Sequence, residues 1–243
     1  GQTRPELGTL VFAGADGVAT NTSFVRVGRN DRATRQGTLL LDNTIANNND
    51  RLRDAAIIEF QSGGRLGIIG NDSTGTAEAI GSLRLNNGNA VVTIDAGAGG
   101  ATVLTASNVF QNNVTQRSML VRGDNLGAAA GPGVAQMKFV LAPTMSASGV
   151  DSNQVGVIPF MVGDTDINGG GAGLVTYDTA TGVRMLTADE VTNAVAADRN
   201  VRLAGGDSVG SSTTVRSLQM AGAGGTLNIA SNATLKVDGG AMF

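Results

Sequence analysis

Three clusters of side chains in this sequence are of types and spacings that could do chemistry. Asp164, Asp166 and Asn168 alternate and are followed by Gly169, the first half of a calcium loop of the form D-x-[DN]-x-[DN]-G. In that pattern three side-chain oxygens converge on one cation and the glycine permits the sharp turn. The twelfth position, where a bidentate Glu would complete the loop, is Val175, and residues 170–173 offer only backbone carbonyls. Calcium is therefore one expectation for Asp164, Asp166 and Asn168. An ordinary polar turn, with Asx side chains bonded to nearby backbone, is the reading that the incomplete loop favours.

A second cluster is cationic. Arg26, Arg29, Arg32 and Arg35 recur every third residue and could grip an anionic glycan or neighbouring carboxylates. Three-residue spacing does not hold side chains on one face of a strand, so part of this run is expected to be a solvated loop, partly neutralised by Asp31, Asp42, Asp50 and Asp54. The third group is acidic: Asp16, Glu59, Glu78, Asp95, Asp124 and Asp178 could serve glycoside chemistry if two or three of them met on one face. They are scattered, mostly at turn positions. With one Tyr and no Trp, the platforms on which sugars stack are nearly missing.

Other chemistries are removed outright. The chain has no His and no Cys, hence no imidazole base, no thiolate nucleophile and no disulfide. No phosphate-cradling G-x-x-x-x-G-K-[ST] occurs. A pI near 4.9 argues against generic nucleic-acid binding, and no run approaches the ~20 apolar residues of a membrane helix. No catalytic residues and no cofactor beyond calcium are expected, and the chain reads as non-enzymatic.

The elements that would position these groups are strands. Short apolar alternations bounded by Gly, Asn or Asp recur from end to end, among them 24–27, 38–41, 65–69, 90–94, 155–160, 200–203 and 214–220. Gly is abundant, at 36 of 243 residues, and the apolar material is Val, Leu, Ile and Ala, small side chains suited to a narrow repetitive interior. An internal repeat sharpens the reading: Ser82-Leu83-Arg84-Leu85 and Ser217-Leu218-Gln219-Met220 are each followed at the same distance by an apolar pair, Val92 and Ile94 in one, Leu227 and Ile229 in the other. Units this short fit the successive faces of a coil of about 20–25 residues per turn. Asn47–Asn49, Asn86, Asn87, Asn89, Asn112 and Asn113 are its candidate corners.

The expected fold is thus all-β: one parallel β-helix, or β-solenoid, over 1–243, with irregular insertions near 123–135 and 145–153. Thr187-Ala188-Asp189-Glu190 forms a capping box ahead of Val191, Ala194 and Val195, which predicts one short peripheral helix at about 187–198. The start, Gly1-Gln2-Thr3-Arg4, suggests a segment of a longer exported protein.

From residue 118 to 186 the text carries a resemblance. Met119-Leu120-Val121-Arg122-Gly123-Asp124-Asn125-Leu126-Gly127, Val157–Asp164, Val175–Asp178 and Gly182–Thr187 resemble the autotransporter-associated β-strand repeat proteins, and the segments opening at Gly8, Gly37 and Gly225 look like their repeats. The resemblance implies a passenger-type β-helix displayed outside a bacterial cell as stalk, matrix fibre or adhesin, with no catalytic residues to carry over. The functional expectation is an extracellular structural protein that associates end to end with its own kind or continues a longer chain. The alternatives are an adhesin whose loops at 123–135 and 163–173 bind a surface glycan, and a polysaccharide-degrading β-helix.

Overall fold

The structure, a computed structural model, describes residues 1–29, 36–111, 117–222 and 225–242. Among these the chain is nearly all-β, with sheets formed largely of parallel ladders and helix confined to two three-residue 3-10 turns. Its contacts divide it into two compact units: residues 1–143 with 161–172 and 178–184, and residues 144–160 with 173–177 and 185–243.

In the first unit, odd- and even-numbered strands alternate between two sheets. One sheet runs in the order β1 (Gln2–Thr3), β3 (Phe24–Val27), β5 (Ile57–Gln61), β7 (Thr76–Asn87), β9 (Thr102–Gln111) and β11 (Ala135–Phe139). The other contains β2 (Gly8–Ala13), β4 (Gly37–Asp42), β6 (Arg65–Ile69), β8 (Ala90–Asp95), β10 (Met119–Gly123) and β12 (Met161–Asp164). The pairings run parallel, and residues of like character meet along them. Leu39 lies beside Leu66, Leu66 beside Val92 and Val92 beside Val121; Leu41, Ile68 and Ile94 form the next column. These side chains are at most 1% exposed. The alternation of apolar and polar residues in each strand puts its apolar set on one face, and the parallel register stacks that set on the rung before it, about 4.8 Å away.

Strands β7 and β9 are long because each bends. Ile80 and Leu83 both point inward although they are three residues apart, so the two-residue alternation changes phase between them. The bend is at Gly81, where a Cβ would lie 2.7 Å from the carbonyl oxygen of Ala55, and only glycine lets the chain pass so close to its neighbour. Gly28 closes another corner at φ +86, with any Cβ 2.1 Å from the Gln61 carbonyl. At the corners Asn side chains bridge to the backbone of the adjacent rung: Asn71 donates to the Asn43 carbonyl at 2.7 Å, and Asn47 to that of Gly75 at 2.9 Å. Asn112 and Asn113 lie outside the described residues.

The later chain carries β13 (Gly173–Asp178), β14 (Gly182–Met185), β15 (Asn200–Leu203), β16 (Asp207–Val209), β17 (Thr213–Met220), β18 (Leu227–Ile229) and β19 (Leu235–Met242). The second unit holds a parallel sheet of β15, β17 and β19 and a parallel pair of β16 and β18. Val201, Leu203, Val215 and Leu218 form one of its cores, and Val157, Leu174 and Leu186 another. Asn200, wholly buried, accepts from the Ser217 hydroxyl at 2.8 Å and donates to the Val155 carbonyl at 2.9 Å. Both members of the internal repeat fall on strands, Ser82–Leu85 in β7 and Ser217–Met220 in β17.

The helix predicted at 187–198 does not form. The capping box does, with Glu190 Oε2 accepting from the Thr187 amide at 2.9 Å, but it closes only the 3-10 turn Ala188–Glu190. Val191 is already extended (φ −133, ψ 157), and Thr192 bridges to Val201 and donates to the Asn200 carbonyl. Val191 packs against the Val157 core and Val195 against the Val201 core, so the helical spacing of the two valines reflects two separate anchor points. β-branched side chains resist a helix in any case. The strand expected at 155–160 is also absent. Pro159 has no N–H to give a ladder, and the segment bonds singly, Ile158 donating to the Val175 carbonyl at 2.9 Å.

Candidate functional site

The most unusual chemistry lies where β7 passes beneath the turn at residues 50–55. Thr76, Glu78 and Ile80 all point inward, each 2% exposed. Their columns continue in β9 and β11: Glu78 stands beside Leu104, and Leu104 beside Met137. A carboxylate therefore occupies a place whose successors are aliphatic. It is there to satisfy the turn above it, accepting from the Arg51 amide at 3.1 Å on one oxygen and from the Leu52 amide at 2.8 Å on the other. Without Glu78 these two buried donors would go unpaired.

Burial pushes the Glu78 carboxyl up to about 7. The Leu52 and Arg51 amides oppose that rise, Asp50 adds to it, and the Arg51 charge pulls weakly the other way. Arg51 itself is wholly buried. Its guanidinium donates to Asn43 Oδ1 at 2.9 Å and to the carbonyls of Gly14 at 3.0 Å, Gly17 at 2.9 Å and Ala46 at 2.9 Å. One planar fork thus pins three loop carbonyls from two rungs, a task to which five fixed N–H donors are suited. Burial lowers the guanidinium from its usual value, with Glu78 and Asp42 acting against the fall.

Over this pair lies a groove of about 560 Å³. Ala77, Ala79 and Thr105 line it together with Thr20, Asn49, Asp50, Arg53 and Asp54 of the flanking turns. It is open and floored by small residues, with Asp50, Arg53 and Asp54 on its walls. Glu78 lies at its border, each of its oxygens accepting from a backbone amide. A general acid must reach the proton's destination within hydrogen-bond distance.

The residues of the calcium pattern lie in and beside a turn. Asp164 Oδ1 accepts from the amides of Asp166 at 3.1 Å and Gly170 at 3.3 Å, and Asp166 Oδ1 accepts from Asn168 at 2.7 Å. These oxygens face N–H dipoles, an arrangement that satisfies a carboxylate and competes with a cation. Among the described residues no three His, Cys, Asp or Glu side chains are grouped to hold a metal ion. Millimolar calcium is accordingly expected to move the melting temperature by less than about 1 °C. A rise of several degrees, lost on Asp164→Asn, would contradict this turn assignment.

Of the arginine run, Arg26 and Arg29 lie among the described residues. Arg26 pairs with Glu59 at 2.9 Å and lies over the Phe24 ring, and Glu59 also accepts from Gln61 at 2.8 Å. Registers run Arg26 beside Glu59 and Glu59 beside Arg84, with the Arg84 guanidinium 5.1 Å from the Phe110 ring centre. This is an outer row of alternating charge across the rungs, the sheet counterpart of a helix ion-pair ladder. Arg32 and Arg35 lie outside the described residues. Of the scattered acids, Asp95 is pushed up by burial and then by Asp124 and Asp72, while Asp124 accepts from the Ile167 amide at 3.3 Å. Asp178 is fully exposed and is held low by amides of the turn it begins, Thr181 and Ala180.

Arg51 carried no signal in the sequence, since nothing near it marks a buried arginine. Glu78 did carry one, for Thr76, Glu78 and Ile80 share a phase that places the acid inward. No family model matches this chain, and neither a curated protein nor a solved structure matches it. Among the described residues no helix is long and apolar enough to cross a membrane.

Proposed function

We propose that this chain is an extracellular structural protein of a bacterial cell surface, wound as a parallel β-solenoid that works by its shape and surface rather than by turnover. The observation that carries this reading is the register: successive strands of the first unit alternate between two parallel sheets, and inward residues stack in aliphatic columns such as Leu39, Leu66 and Val92. Repetition of that kind gives a surface built rung by rung, on which strength comes from backbone ladders and stacked core. The buried acid beneath the groove is closed by backbone amides, which fits a structural part better than a catalytic one. The likeness of residues 118–186 to autotransporter-associated repeats points the same way.

End-to-end association belongs to this reading. Among the described residues β2 pairs with β4 alone, and Leu10 and Phe12, which begin the two inward columns, are only half-buried. Val11 and Leu7 beside them are each 44% exposed. Such an edge invites a further parallel strand, since it carries none of the charges that normally blunt one. Analytical ultracentrifugation tests the non-covalent form. The proposal expects species that lengthen with concentration and shrink when Val11 is replaced by Lys; a monomer at every concentration up to about 10 mg/ml would refute self-association.

A second reading, a glycan-binding module, is favoured by the open groove beside Glu78, whose walls carry Asp50, Arg53 and Asp54. Loop 163–173 bonds mainly to itself and to Asp124, which suits it less to that role.

A further inference from the structure

Gly67 leaves a gap in the outer face of the sheet that carries β4, β6 and β8. The outward positions of β6 are Arg65, Gly67 and Ile69, and in the register Leu40 stands on one side of Gly67 and Thr93 on the other. Without a side chain at Gly67, a foreign group can come close to the backbone there. The result is an open pocket of about 310 Å³, with apolar sides from Leu40, Ile69 and Ile167 and with Arg65 and Asp95 on its border. Ile167 is held by its own backbone, its amide donating to Asp124 Oδ1 at 3.3 Å and its carbonyl accepting from Arg122 at 3.5 Å.

Two opposite charges therefore share this pocket without meeting. Among the described residues neither the Arg65 guanidinium nor the Asp95 carboxylate has a hydrogen-bond or ion-pair partner. Asp95 is half-buried and lies near Asp124 and Asp72, so burial and two further carboxylates all oppose its charge. A cation beside it would relieve that opposition. Arg122, next to Thr93 in the register, donates to the Ile167 carbonyl rather than to Asp95. Asp42, which flanks Ile69 on the far side, is taken up by Thr44. Arg65 and Ile69 lie four residues apart on one strand and Asp95 stands beside Ile69. The two charged residues thus start about 14 Å apart at their Cα atoms. Their side chains close part of that span, and aliphatic groups line the rest.

We propose that this pocket binds an ω-amino carboxylate, whose carboxylate pairs with Arg65, whose methylene chain lies over Gly67 against Leu40, Ile69 and Ile167, and whose ammonium pairs with Asp95. The planar guanidinium fork matches a carboxylate, and charge-assisted hydrogen bonds at both ends fix the length of the ligand. A simple amine or a simple acid satisfies one end and leaves the other charge unpaired. A free small amino acid and the lysine that ends a polypeptide both present this chemistry.

Titration of the isotope-labelled full chain with ε-aminocaproate, n-hexylamine and caproate, followed by amide chemical shifts, tests the site. ε-Aminocaproate is expected to move the Gly67, Thr93 and Ile167 amides saturably and to bind about tenfold more tightly than either singly charged analogue. Arg65→Gln should erase its advantage over hexylamine, and Asp95→Asn its advantage over caproate. Gly67→Val should fill the floor and abolish binding, since the added Cβ first meets Leu40 Cδ1 at 2.8 Å, the movable end of a side chain. A peptide ending in a free lysine separates the two sources: equal binding assigns the ligand to a polypeptide C-terminus, and exclusion assigns it to a free small acid. No saturable shift up to about 50 mM, equal affinity for all three ligands, or an ε-aminocaproate affinity unchanged in both Arg65→Gln and Asp95→Asn would overturn the proposal. Should a variant fail to fold, the comparison of the three ligands on the wild-type chain decides alone.

Discussion

Arg51→Ala is expected to lower the unfolding free energy by about 3–5 kcal/mol, seen as a fall in the urea midpoint with little change in slope. The size follows from the groups the side chain leaves behind. Three carbonyls, those of Gly14, Gly17 and Ala46, and the Asn43 side chain all lose a donor. The residue is wholly buried, so water cannot replace it without opening the corner. Glu78 would also lose its favourable charge. Arg51→Lys should recover less than half of the loss, because one ammonium cannot reach carbonyls spread around a planar fork. A loss below about 1 kcal/mol for Arg51→Ala would mean that the loops at 14–17 and 43–46 are held by other means.

Phe60→Ala should cost a similar amount, about 3–5 kcal/mol, by a different route. Phe60 is 1% exposed and stands in a column between Val27 and Leu85, so its removal leaves a void that neighbours fixed by their ladders cannot fill. Columns of stacked residues have little freedom to collapse sideways, which puts this site toward the costly end of large-to-small changes. Phe60→Leu, which keeps most of the volume, should cost no more than about 1.5 kcal/mol. Val11→Ala on the half-exposed strand β2 should stay within about 0.5 kcal/mol. Equal losses at Phe60 and Val11 would contradict a core organised as inward columns.

Most strands were legible because each buries one face, so its composition alternates. β3 and β6 have the bounds that the alternation of Phe24–Val27 and Arg65–Ile69 predicts. β9 was not legible: its inward positions include Thr102 and Ala106, which read as polar or neutral although both are wholly buried. The helix at 187–198 misled because a capping box signals only the first turn, and beyond that turn two separate cores each claim a valine. At the candidate site, half of the chemistry was readable. The phase of Thr76, Glu78 and Ile80 places an acid inward, but the partner that makes sense of it comes from a turn 27 residues earlier, and Arg51 there looks like any polar turn residue. Register across rungs sets such pairings, and register is not written locally.

Parallel strands stacked rung upon rung are the foundation of this fold, and disulfide trapping tests that stacking most directly, since the chain contains no cysteine to interfere. Thr38 lies beside Arg65 and Arg65 beside Val91 on the outer face of one sheet. Adjacent parallel strands bring their Cα atoms to about 4.8 Å, within the range a disulfide spans, while next-nearest strands lie at about twice that distance, beyond it. Thr38→Cys with Arg65→Cys, and Arg65→Cys with Val91→Cys, should each cross-link within a single molecule on mild oxidation. Thr38→Cys with Val91→Cys should remain reduced. Efficient trapping of the Thr38 and Val91 pair, or none for either adjacent pair, would contradict the stacked register.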